Sequence, residues 1–286
     1  MSGQRGYPNG HYYSPVINIA DIEERSEKIW PATPDLVGID FNHAGHEQLL
    51  REVFPQFVGS FEYSETMPIG VRDENAVEQF FQTNSQFAWL DSIALFVLMR
   101  HWRPKQIIEV GSGFSSLLMA DVNRRFLNSA VHITCIEPYP RQFLKRTIAG
   151  INVLIRERVQ NVPLDIFANL ESGDILFIDS SHISKTDSDV NYLMFEIVPR
   201  LKAGVLIHIH DIFLPHDYPR EWVVERKRCW NEQYLVRALL TLNCSFRIEF
   251  GSAYAFYALP QLLKQALSEC NGRFYGGSSL WIRKLV

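Results

Sequence analysis

The chain has 286 residues, 47% hydrophobic and 21% charged, enough for a large core and one or two domains. Its 16 Gly and 14 Pro are near average usage, which excludes collagen-like and low-complexity classes. A net charge of −4 argues against a nucleic-acid partner, and no run of about 18 apolar residues suggests a membrane span.

The N-terminal stretch MSGQRGYPNGHYYSP lacks the apolar core of a signal peptide. Four scattered cysteines (Cys135, Cys229, Cys244, Cys270) form no C-x-x-C pair and read as reduced, small apolar side chains in a cytoplasmic protein. Residues 1–20 predict an extended aromatic arm. Residues 21–80 mix short helical pieces (21–30 and 47–54) with Pro and Gly breaks, a cap rather than a second large domain. The expected division is 1–83 for arm and cap, and 84–286 for the main domain.

From there the pattern becomes regular. Asn84 or Ser85 caps a predicted helix with Phe87, Leu90, Ala94, Val97 and Leu98 on its apolar side, ended by Pro104. Predicted strands follow at 106–110, 131–137, 153–156, 174–179 and 205–209, alternating with helices at 115–126, 140–149, 163–170 and 187–198. That alternation, with continuous apolar strands, predicts an α/β fold: a doubly wound, Rossmann-like parallel sheet covered on both faces. A long irregular segment (211–228), a helix (230–242), a strand (246–250), a helix (260–269) and a last strand (280–285) complete seven strands.

Ligands of such sheets bind at the carboxyl ends of the strands. The first end carries Glu109-Val-Gly111-Ser112-Gly113-Phe114-Ser115, where glycines let backbone approach a ligand and a helix start offers free N–H groups. Glu137 ends the second strand, suited to accept from both hydroxyls of a ribose. Together they indicate a nucleoside-bearing cofactor. A nicotinamide dinucleotide wants a third glycine where Ser116 stands, and Glu109 would repel its pyrophosphate. A cofactor with an ammonium and a sulfonium fits better, which points to S-adenosyl-L-methionine (SAM).

The segments E-V-G-S-G-F-S, I-E-P (136–138), D-I-L-F-I-D-S-S-H (174–182), H-I-H-D-I-F-L-P (208–215) and W-N-E-Q-Y (230–234) resemble the class I SAM-dependent methyltransferases, and more narrowly a subgroup acting on small molecules. The resemblance covers about residues 80–250 and the terminal strand. Ser115 departs from it, since many relatives have a third Gly there. The resemblance implies a seven-stranded sheet with an antiparallel last strand. It places Glu109 and the 111–115 loop against the methionine part, Glu137 on the ribose, Gln160 beside the adenine, and Asp179 near the sulfonium.

A second cluster sits at the ends of the fourth and fifth strands: Asp179, His182, His208, His210 and Asp211, with His216 and Asp217 nearby. Strand alternation sets His208 and His210 on one side and Asp211 on the other unless the strand has ended. One expectation is that His182 or His210, oriented by Asp211, is a general base for an acceptor O–H or N–H. The competing expectation is that Asp179, His210 and Asp211 ligate a divalent metal ion, as carboxylates do for Mg²⁺ in some related enzymes. His208 is expected to be buried and hydrogen-bonded, and His216 and Asp217 to be solvated.

The 212–228 loop is long enough for a lid, and Pro215, Tyr218, Pro219, Trp222 and Trp230, with Tyr12, Tyr13 and Phe87, are candidate pocket walls. Lys227 and Arg228 are too few for a nucleic-acid surface. The expected activity is methyl transfer to a hydroxyl, or a nitrogen, of a small-molecule or sugar acceptor. A homo-oligomeric state is left open. The alternatives are a nicotinamide-dependent oxidoreductase and a metal-assisted hydrolase.

Overall fold

In the computed structural model, which describes residues 6–270 and 276–286, the regular half of the chain builds one sheet. The first five residues of the expected arm lie outside the described residues. The strands are β1 (Gln106–Val110), β2 (His132–Ile136), β3 (Val153–Ile155), β4 (Ile175–Ile178), β5 (Leu206–Ile209), β6 (Phe246–Gly251) and β7 (Leu280–Lys284). Their order is β3-β2-β1-β4-β5-β7-β6. β7 is antiparallel to both neighbours and lies between β5 and β6. This is the expected doubly wound, Rossmann-like sheet of seven strands.

Alternation along each strand feeds two cores. Ile107, Ile133, Cys135, Ile175, Phe177 and Trp281 face one, while Ile108, Val110, Ile136, Leu176, Ile178 and Ile282 face the other. The first face is covered by the helices Trp89–Trp102 and Phe114–Phe126. The former is buried continuously from Leu90 to Met99, because cap residues such as Phe54, Val58 and Phe61 lie in the same core. The cap therefore finishes the covering of a helix that is apolar on every side.

Several elements differ from expectation. Asn84 does not cap the helix. Its amide donates to Phe81 O and Phe87 O and its Oδ1 accepts from Phe87 N at 2.7 Å, so it ties a turn, and the helix begins at Trp89. The segment expected to be helical at 140–149 holds only a turn, Gln142–Lys145. Gly150, at φ +103°, sits against the backbone of Ala120. The 187–198 helix is Asp189–Tyr192 continued by a wider turn at Leu193–Ile197. The 260–269 helix is preceded by a second one, Ser252–Ala258. Among the described residues no helix is long and apolar enough to cross a membrane.

Candidate active site

Strand register brings the site together. Val110 pairs with Ile136 and Ile178, and Ile178 pairs with Ile209, so the strand ends share one level. The ladders continue one step further: Gly111 N donates to Ile136 O (3.0 Å), Asp179 N to Val110 O (2.9 Å) and His210 N to Ile178 O (2.9 Å). Gly111, Glu137, Asp179 and His210 therefore stand in a row at the sheet edge where strand order reverses between β1 and β4. A cavity of about 1150 Å³ opens there, and all four residues line it.

At its β1 end, Gly111 has φ +84°, and a Cβ would lie 1.8 Å from the carbonyl oxygen of Asp179. Only glycine fits this crossing. Ser112 and Gly113 also line the cavity. Glu137 accepts from Ser112 N (3.2 Å) and Tyr139 N (2.7 Å), which aims its carboxylate along the loop and leaves lone pairs for a ligand. Among the described residues the buried hydroxyls of Ser112 and Ser180 make no hydrogen bond, and both residues line the cavity. Such orphaned groups mark a place for a polar ligand.

Three expected cofactor contacts lie elsewhere. Glu109 is fully buried and does not line the cavity. It pairs with Cys135 and Phe177 in the sheet, so alternation turns its side chain onto the face under the Phe114–Phe126 helix. There it accepts from Ser115 Oγ at 2.5 Å, from Ser116 Oγ and from Cys135 Sγ. Burial pushes its pKa up to about 7, against the pull of those donors. Glu109 and Ser115 thus hold the glycine loop from beneath. Gln160 lies beyond the lining, its amide donating to Asp187 O at 2.8 Å.

At the β4–β5 end, β5 stops at Ile209 and Asp211 takes φ +57°, which swings its carboxylate back toward the histidines. His182, at φ +60°, is held by three carboxylates. Its Nδ1 lies 2.9 Å from Glu232 Oε2, and its Nε2 lies 3.4 Å from Asp179 Oδ1 and 3.6 Å from Asp211 Oδ2. Burial alone would lower its pKa, but hydrogen bonds and charges from Asp179 and Glu232 raise it to about 10. His182 is therefore an imidazolium with both nitrogens engaged, which fits poorly with the expected role as a base.

His210 lines the cavity, with Nε2 3.7 Å from Asp211 Oδ1 and Nδ1 without a hydrogen-bond partner among the described residues. Its pKa is raised despite burial by the charges of Asp179, Asp211 and Asp91. The Asp179 carboxyl, which burial alone would raise, is held below its usual value by His210 and His182. Asp211 is raised by burial, against the pull of both histidines.

The expected metal ligands Asp179, His210 and Asp211 do come together. The position between the two carboxylates, however, is taken by the Nε2–H of His182. Among the described residues no group of three or more His, Cys, Asp or Glu is arranged to hold a metal ion. These residues fit a proton-bearing imidazole better than a divalent cation. His208 is structural, stacked 3.7 Å from Phe177 and bonded to Ser279 Oγ at 2.9 Å. His216 and Asp217, expected in solvent, line the cavity.

Two site residues were missed. Glu232 is fully buried in the W-N-E-Q-Y segment, and its pairing with His182 spans 50 positions. Asp91 lines the cavity and accepts from Ser278 N and Ser279 N, fixing the turn into β7. Of the expected walls, Phe87, Pro219, Trp222 and Trp230 are in place, joined by Trp30 and Trp89. Tyr12 and Tyr13 are exposed, their rings 4.3 Å apart and tilted by 51°.

The model of a methyltransferase domain family matches residues 108–212, the stretch that carries this row of residues. A protein of Archaeoglobus fulgidus, described as uncharacterized, is 38% identical over 190 residues, covering 64% of this chain and 83% of the relative. The chain belongs to one family with this relative, and its residues 108–212 match a methyltransferase domain. Solved structures with a similar course include a Podospora anserina methyltransferase bound to S-adenosylhomocysteine (17% identity, 99% of each chain, TM-score 0.43). Another is the Bacillus cereus O-methyltransferase in complex with the same molecule (13% identity, 67% of this chain and 79% of that one, TM-score 0.40).

Proposed function

We propose that this methyltransferase-family protein uses SAM to methylate a hydroxyl, with nitrogen as the second choice, of a small-molecule or sugar acceptor. The observation that carries the reading is the single cavity joining Gly111, Ser112, Gly113 and Glu137 to Asp179, His210 and Asp211. Its acidic floor suits a cationic ligand. Glu137 would accept from ribose hydroxyls, the hydroxyls of Ser112 and Ser180 are free to bond a polar ligand, and Asp179 would face the positive end.

Bound SAM supplies an electrophilic methyl carbon. What this chain must then supply is a place for the acceptor proton. His210 is suited to take it, with Asp211 orienting the imidazole and stabilising the charged ring. Because its pKa is raised above that of a free imidazole, the neutral base forms only at correspondingly higher pH, so methyl transfer should increase as pH rises. The charged His182, fixed by Glu232, keeps the Asp179 and Asp211 carboxylates in place while the proton moves.

Calorimetry with SAM and S-adenosylhomocysteine tests the reading. Wild type binds both, and Glu137→Ala weakens them by about 10–100-fold, the loss of a charged hydrogen-bonding group. Absence of binding by wild type, or unchanged affinity in the variant, overturns it.

A further inference from the structure

The loop at the cavity rim carries a cation that pairs with no carboxylate among the described residues. Arg220 pairs with Glu23 and Glu225, and Arg226 with Glu221. Arg228, which lines the cavity and is half-buried, makes no side-chain hydrogen bond or ion pair among the described residues. Instead its guanidinium carbon lies 4.2 Å from the ring centre of Trp222 and 4.3 Å from that of Trp230. These two indoles meet edge to face at 5.3 Å, so Arg228 rests in the corner between them.

That arrangement holds the guanidinium while leaving its donors unused. Against two indoles nearly at right angles the guanidinium can lie flat on only one, and the N–H groups not turned to the other ring stay free to donate. An arginine fork matches a carboxylate or phosphate in two parallel hydrogen bonds. Withdrawing unpaired donors partly from water is unfavourable, and an anionic ligand would offset that loss. The corner is also registered to the reacting end. Arg228 N donates to Trp222 O at 2.9 Å, and three and four residues on, Asn231 N and Glu232 N donate to His182 O at 3.1 and 3.2 Å. The cation thus has a fixed relation to the His182–Asp211 cluster.

We propose that Arg228, seated between Trp222 and Trp230, is the subsite for an anionic group of the methyl acceptor. This rests on the methyltransferase reading and narrows it: the acceptor carries a carboxylate or a phosphate besides the group that is methylated. The planar fork and the surrounding rings favour an acceptor whose anion is attached to a flat or apolar body.

Titration calorimetry with benzoate, phenyl phosphate and the neutral benzyl alcohol tests the subsite and distinguishes the two anions. Wild type should bind one or both anions at least about tenfold more tightly than the alcohol, the worth of one charge-assisted contact. Arg228→Gln should lose that preference, Arg228→Lys should keep part of it, and both should bind S-adenosylhomocysteine as wild type does. Equal binding of anions and alcohol, or an unchanged preference in Arg228→Gln, overturns the proposal. Should wild type bind the anion through Arg228 yet not S-adenosylhomocysteine, the subsite stands and the methyltransferase reading fails.

Discussion

The two ends of the cavity are built in opposite ways. The β1–β2 end is made of backbone: a glycine crossing, a turn and one carboxylate that bonds the neighbouring N–H groups. The β4–β5 end is made of side chains from distant segments: Asp179, His182, Asp211 and Glu232, with Trp222, Arg228 and Trp230 above them. Backbone sites tolerate little change of shape but depend weakly on pH. Side-chain clusters tolerate change of shape better, yet their stability is tied to protonation.

The sharpest break in that comparison is at Gly111. Gly111→Ala would force a Cβ to within 1.8 Å of the Asp179 carbonyl at φ +84°. A loss of about 4 kcal/mol or more in chemical unfolding is expected, from clash and backbone strain together. A near-neutral result would mean that the crossing yields and the end is not rigid.

The side-chain end is probed through Glu232. Glu232→Gln removes one of three carboxylates from a buried imidazolium and should cost about 3 kcal/mol at pH 7, as breaking a buried pair does. The sign with pH follows from His182, whose pKa rises from 6.5 to about 10 on folding. Its contribution to stability is complete below about 6.5 and is lost as pH climbs to about 10. Urea unfolding across this window should show that decline in wild type and a flatter course in Glu232→Gln. A wild-type curve already flat would mean that His182 is not held charged.

The smallest effect belongs to Gln160, whose amide is spent on Asp187 O outside the cavity. Gln160→Ala should change stability by no more than about 0.5 kcal/mol. Its affinity for S-adenosylhomocysteine should stay within about twofold, a few tenths of a kcal/mol. A tenfold loss would show that the side chain turns toward the adenine when the ligand binds, extending the β1–β2 end toward β3.

How legible these ends were follows from their construction. The strand ends, Gly111 and Glu137 could be read from local pattern, because a strand running into glycine and an acid one strand later are short-range signals. Glu109 misled for a reason of geometry. It sits next to the glycines in sequence, but the two-residue period turns it into the sheet face beneath them. Alternation set Asp211 opposite the histidines only if the strand continued; β5 ends at Ile209, and the positive φ of Asp211 turns it to their side. Of the expected 140–149 helix only Gln142–Lys145 forms a turn, which buries Phe143 and Leu144.

The sequence by itself determined the alternation of strands and helices, the two faces of the sheet and the row of residues one step past each strand, since apolar periodicity and turn residues act over short distances. Only the tertiary structure decided which acids would surround His182, that Glu232 would be one of them, and that the indoles of Trp222 and Trp230 would seat Arg228. The protonation of an imidazole depends on charges within a few ångströms, and chain folding, not sequence separation, sets those distances.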